Sequence, residues 1–221
     1  MKTPTQTRTE LNNLVDILIQ HEVALIANRI VVQSIGPLKR VTWAPPALAF
    51  VPAASGSIEE YCGFLSAHAF TAVLRDGAIL QLSYDFRDGD LCGHRLCFYP
   101  CPFDVDPRDL LAEPVMDVID VYRSGTTAEV RLRSPIRFDY SRDDSQEDHP
   151  TSHMHILSPD CRCPVAAPLG IGLFMQFVFR HFYRDLWRQH AFLREWPAEL
   201  GTRTIRADEE TQLHISCKRR S

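Results

Sequence analysis

No run of 18 or more apolar residues without a charge occurs anywhere in the chain, which excludes a helical membrane span. A basic excess is also missing: 24 lysines and arginines stand against 28 aspartates and glutamates, a net charge of −4. That balance excludes a protein that coats nucleic acid over its whole surface. A local basic groove stays open, because steering depends on where charges lie. No apolar leader opens the sequence; "MKTPTQTRTE" is polar, and Asp16, Gln20, His21 and Glu22 interrupt the apolar run behind it. A cytoplasmic location is expected on that ground. The seven cysteines are odd in number and lack a secretory leader, which favours free thiols over a disulfide framework. There is no internal repeat.

What is present suits a globular protein. Hydrophobic residues make up 45% of 221 and charged residues 24%, enough to bury a sizeable core, and residues 1–221 are expected to form a single domain. Thr7 and Glu10 form a capping-box pattern, and Leu11, Leu14, Val15, Leu18, Glu22 and Leu25 follow at helical spacing. They predict an N-terminal helix over about 8–30. Residues 36–56 are rich in proline and glycine and read as loop, with a short strand near 47–51. Ser57, with Glu60 three residues on, starts a helix over 57–67. Asp76-Gly77 and Asp88-Gly89 mark tight turns within three or four antiparallel strands over 69–100. Asp106-Pro107 opens a helix over 107–123 that Pro114 must end or restart. "AEVRLRSPIRFDY" alternates as a strand interrupted at Pro135, "SRDDSQED" is a polar loop, and "SHMHIL" alternates again. Residues 69–164 are thus mainly strands, and 169–192 read as one long helix. The expected architecture is α+β: an antiparallel sheet of about five or six strands, packed by the long C-terminal helix with the N-terminal helix alongside.

Three of the nine histidines fall within seven residues, at His149, His153 and His155. Side chains alternate faces along a strand, so His153 and His155 point opposite to Ser152, Met154 and Ile156. In the preceding strand Ile136, Phe138 and Tyr140 share one face and Arg137 and Asp139 the other. If the two strands pair across the acidic loop, Arg137, Asp139, His153 and His155 share one solvent-accessible polar face, with His149 leaning over it. Two chemistries suit that set. In phosphodiester cleavage one imidazole takes a proton and another gives one, while Arg137 holds phosphate and Asp139 fixes a tautomer. In a metal site His153, His155 and Asp139 supply a two-histidine, one-carboxylate face for a divalent metal. The bland alternative is a solvated strand face with an ordinary ion pair. Two familiar patterns fail: the histidine triad needs a third histidine at every second position, and "LHISC" lacks its matching second half.

Cys97-x₃-Cys101 has the spacing of half a zinc site, but Cys92, His94, Cys161 and Cys163 do not complete a second knuckle, so little zinc is expected on the cysteines. Arg180, Arg184 and Arg188 recur every fourth residue as a stripe on the expected long helix. A solvated face is the first reading, and a phosphate-tracking surface beside the histidine strand is the second.

"RFDY", "HPTSHMHI", "RCPVAAP" and "FMQFVFRHFY", in that order, resemble the bacterial family grouped as domain of unknown function 2290. The resemblance covers roughly residues 136 to 183, and its most specific part is the H-P-x-S-H-x-H-I core. Leu157-Ser158 stands where a glycine is expected, and Cys161 and Cys163 are peculiar to this chain. The resemblance marks Arg137, Asp139, His149, His153, His155, Arg162 and Tyr183. It names no activity. The family's histidine signature resembles those of small toxins from toxin–antitoxin and phage-defence loci, which implies an RNase-like hydrolase, with Arg162, Arg180, Arg184 and Arg188 available to RNA. The rival expectations are a non-catalytic subunit that meets a protein partner from a neighbouring gene, and a small-molecule metalloenzyme.

Overall fold

The computed structural model describes residues 2–44, 56–125, 130–131, 133–144, 146, 148–156, 158 and 160–216. The strand expected near 47–51 lies outside them. Helix α1 spans Pro4–Gln20, and its cap is Thr3: the Thr3 hydroxyl accepts from the Gln6 amide at 3.3 Å while the Gln6 side chain accepts from the Thr3 amide at 2.8 Å. The expected box at Thr7 and Glu10 is displaced by one turn, because Pro4 is pre-set for a first helical position and Thr7 lies on the buried face. Thr3→Ala should therefore lower stability by about 1 kcal/mol in urea unfolding, and an unchanged midpoint would overturn this cap.

The helix ends at Gln20, ten residues before the expected end at about 30 and five before Leu25. Glu22 takes a left-handed conformation (φ 55°), and the β-branched run behind it folds as strands instead: β1 (Ala24–Ala27), β2 (Ile30–Ile35) and β3 (Leu38–Trp43). The β2–β3 hairpin turns at Gly36 (φ 57°), inside a segment that reads as loop from composition. Helix α2 (Ile58–Ser66) follows, capped by Ser57 as expected, and then β4 (Ala72–Leu74), β5 (Ile79–Arg87) and β6 (Asp90–Tyr99). Asp88 and Gly89, both with positive φ, make the β5–β6 turn. Pro114 divides the next helix into α3 (Pro107–Ala112) and α4 (Val115–Ser124). The last strands are β7 (Ile136–Ser141), β8 (Ser152–Ile156) and the short β9 (Cys163–Pro164).

The fold class holds as α+β, but all nine strands join one antiparallel sheet, ordered β1-β4-β5-β6-β7-β8-β9 with the β2–β3 hairpin paired to β5. The number exceeds the five or six expected because residues 24–43 supply three unforeseen strands. Long β5 makes this branching possible: Leu80 at one end pairs with β4, and Tyr84 to Arg87 at the other pair with β3.

The expected long helix over 169–192 is three pieces: α5 (Ile171–Phe182), α6 (Arg184–Gln189) and α7 (Ala191–Glu195). It breaks at Tyr183 (φ −129°, ψ 58°) and at His190 (φ −106°, ψ 112°). At the first break the Tyr183 hydroxyl reaches both carboxylate oxygens of Asp76, at 3.1 and 3.0 Å, on the turn between β4 and β5. A tertiary bond thus competes with the local helix and wins. Helix α5 packs Phe174 and Phe177 edge-on against Phe138 of β7, closing the core over one sheet face. Glu10 of α1 accepts from the Trp196 indole and ties the two ends of the chain together. A short helix α8 (Ala207–Glu210) precedes the end of the described chain. Among the described residues no helix is long and apolar enough to cross a membrane.

His94 of β6 belongs to the core face and is 6% exposed. Its Nε2 accepts from the Leu169 amide at 3.0 Å, so the proton sits on Nδ1. Burial lowers its pKa from 6.5 to about 4. Between those values the unfolded chain binds a proton that the folded chain refuses. The stabilisation is complete above about pH 6.5 and is lost as pH falls toward 4, by roughly 3 kcal/mol for this group. Urea midpoints of wild type and His94→Gln should converge on acidification, and parallel curves would contradict this.

Candidate functional site

Strands β7 and β8 pair antiparallel, with Arg137 opposite His155 and Asp139 opposite His153. Their apolar residues Phe138 and Met154 go to the α5 side, so Arg137, Asp139, His153 and His155 meet on the other face, as alternation requires. Strand β6 adds Arg95, which stands opposite Asp139 on the next ladder. Arg95 did not enter the sequence reading. The signal was present, since alternation along "GHRLCF" puts Arg95 and Cys97 on the face away from His94 and Leu96, but only the pairing of β6 with β7 brings it to Asp139.

The side chains form one connected cluster. Arg137 Nε donates to both Asp139 oxygens at 3.0 Å, and Arg95 Nε to Oδ1 at 3.3 Å. His155 Nε2 lies 3.5 Å from Asp139 Oδ2 and 2.9 Å from His153 Nε2. His153 Nδ1 is 2.7 Å from the Pro150 carbonyl, which can only accept, so Nδ1 carries the proton and Nε2 presents a lone pair. His149 rests edge-on against His153, with ring centroids 4.7 Å apart. The buried Nδ1 atoms of His149 and His155 have no hydrogen-bond partner among the described residues.

The expected accessible face is in fact closed: Arg137 is 6% exposed, Asp139 9%, His153 2% and His155 7%. Charged groups can leave water when they satisfy one another, and these do. Burial alone would raise the Asp139 carboxyl, but the His155 contact and the Arg95 and Arg137 guanidiniums outweigh it and hold the group at about 2. Desolvation lowers His153 to about 4 despite its carbonyl bond and nearby Asp139. An ionised carboxylate thus faces a neutral imidazole. Among the described residues, Asp139, His153 and His155 are the histidine, cysteine and acidic side chains placed to hold a metal, their ligand atoms lying within 4.8 Å of one another. A cleft of about 380 Å³ beside the cluster has three arginines in its lining, Arg40, Arg87 and Arg95, and three aspartates, Asp85, Asp143 and Asp144. Arg95 therefore borders both the open cleft and the buried carboxylate.

The arginine stripe is not brought to this site. Arg180 lies in the last turn of α5, while Arg184 and Arg188 lie on α6 beyond the break, all exposed. Helix α5 covers the face opposite the histidines, so Arg180 stands across the sheet from them, and the break at Tyr183 removes the single helical stripe. Arg162 does lie near the histidine strand, one residue before β9 pairs with β8, and its Nε is buried with no hydrogen-bond partner among the described residues. Tyr183 serves Asp76 in the turn described above. Cys97 stands opposite Arg137 on the face of the cluster, and among the described residues no cysteine joins the three possible metal ligands. Burial pushes the Cys97 thiol up to about 12 and raises Cys101, so neither offers a thiolate near neutral pH; Cys161 is exposed and Cys163 half-buried. Cys217 lies outside the described residues.

A family model described as "Uncharacterized conserved protein (DUF2290)" matches residues 27–217. The chain belongs to this family. The DUF2290 match reaches well beyond the segment from 136 to 183 that carries the resemblance, and takes in β2 to β6, including Arg95. No curated protein and no solved structure matches the chain. Within this DUF2290 chain, β6, β7 and β8 all contribute to the polar cluster.

Proposed function

We propose that the chain is a hydrolase of phosphodiesters, with RNA as the substrate class, and that the cluster of Asp139, His153 and His155 is its chemical centre. The carrying observation is the charge state of a closed site: two guanidiniums and one carboxylate leave a net charge of +1 beside imidazoles, in surroundings of low dielectric that favour an anionic ester. In this reading His153, neutral with its lone pair on Nε2, accepts a proton and does not give one, so the expectation of an equal acid–base pair narrows to a base or a ligand. Arg95, at the border of the cleft, meets the phosphate, and His149 rests edge-on against His153. Work as an effector of a bacterial toxin–antitoxin or phage-defence locus, in the cytoplasm and with a partner encoded nearby, belongs to the same proposal. The test is incubation of the purified chain with an RNA pool. Histidine-dependent cleavage supports the reading, and an inert wild type removes it.

The near-complete burial of the cluster favours a second reading, in which the chain is a non-catalytic subunit and the polar residues clasp β6, β7 and β8 together. That reading expects no cleavage and large losses of stability in histidine variants.

A further inference from the structure

We infer that Asp139, His153 and His155 bind one divalent first-row transition-metal ion as a three-ligand set, and that the ion is held most tightly when a phosphodiester anion occupies the neighbouring cleft. Ligand atoms about 2.1 Å from an ion are roughly 3.0 Å apart at right angles and roughly 3.4 Å apart at the tetrahedral angle. The two Nε2 atoms, 2.9 Å apart, match the right-angle spacing, and Asp139 Oδ2, 3.5 Å from His155, is near the tetrahedral one, so both pairs lie at bridging distance for a single ion. The Pro150 carbonyl orients His153 through Nδ1, as outer-shell acceptors orient metal-bound imidazoles. Two nitrogens so close must share either a proton or an ion. A proton on His155 Nε2 serves His153 or Asp139, whereas an ion serves all three at once.

The arginines decide the second half of the inference. Arg137 and Arg95 with Asp139 sum to +1, counting two positive groups and one negative, so a dication alone brings the site to +3. Each anion that follows, a metal-bound hydroxide or a phosphodiester, brings that charge down. Cation and anion must then raise one another's affinity by the same factor. The anion's identity rests on the hydrolase reading; the ion's ligands do not.

Isothermal titration of the chelator-stripped full chain with Mn²⁺, and separately with Zn²⁺, tests this with and without dimethyl phosphate. One ion per chain is expected, bound about tenfold or more weakly by Asp139→Asn, His153→Gln and His155→Gln, and about tenfold more tightly with dimethyl phosphate present. Should a variant fail to fold, Mn²⁺-induced broadening of the His153 and His155 ring signals in the wild type locates the ion instead. No binding, or broadening confined to other histidines, overturns the site, and binding that dimethyl phosphate leaves unchanged or weakens overturns the coupling. An ion that binds as described without RNA cleavage defeats the hydrolase reading alone. RNA cleavage by a wild type that binds no ion in the titration defeats this inference alone.

Discussion

Replacing His153 or His155 by glutamine should lower RNA cleavage by about 10² to 10⁴, the usual loss when a positioned base is removed. Glutamine is the substitution of choice because both rings are buried. A truncation to alanine at an exposed strand position changes stability by only about ±0.5 kcal/mol, and the alternating pattern alone implies that outcome. Here His153 is 2% exposed and holds the Pro150 carbonyl, so alanine would open a cavity and orphan an acceptor. Glutamine keeps length and a donor while losing the imidazole. The measurement pairs initial cleavage rates with thermal melts. Variants that stay folded and lose rate support a chemical role. Variants that retain full rate, or that lose it only in step with unfolding, leave His153 and His155 as structural residues. Arg180→Gln serves as the control: exposed on α5, across the sheet from the histidines, it should leave the rate within about twofold, as expected of a surface site remote from the chemistry.

The largest stability effect belongs to Asp139. Alanine at this position removes the carboxylate that Arg95 and Arg137 share, and Arg137, 6% exposed, cannot reach water without opening the sheet. Breaking a buried pair by deleting one partner costs about 3–5 kcal/mol, because the surviving charge has lost its compensation. For a chain of this size that lowers the melting temperature on the order of 10 °C. The pair itself need not stabilise the fold, so the double change Arg137→Met with Asp139→Leu should recover most of the loss, apolar replacements of similar volume being close to neutral. Arg95 keeps a route to solvent through the cleft it lines. Calorimetry on the two variants checks both statements. An Asp139→Ala protein within about 1 kcal/mol of wild type would show that solvent already compensates Arg137. A double variant no better than the single would show that Arg95 bears the cost.

The sequence by itself determined which side chains share a face. Alternation with period two along "IRFDY" and "SHMHI", with one apolar set in each, requires Arg137, Asp139, His153 and His155 to gather opposite Phe138 and Met154 once β7 and β8 pair, and they do. Asp88-Gly89 and Ser57 were equally legible, because a turn or a cap is settled by a few neighbouring residues. The tertiary structure alone decided what lies over that face and what joins it. Arg95 is 44 residues from Asp139 and reaches it only through the pairing of β6 with β7. The closing of the polar face depends on that arrangement too, since a charged face can leave water only when its partners are already in place. Long-range contacts also overrode local periodicity twice. Leu25 continues a helical stripe yet lies in β1, where pairing with β4 satisfies the backbone. The arginine helix breaks at Tyr183, where the bond to Asp76 spans 107 residues. Local pattern sets the direction of a side chain; burial and partnership are set by strands and turns distant in sequence, whose contacts no single segment encodes.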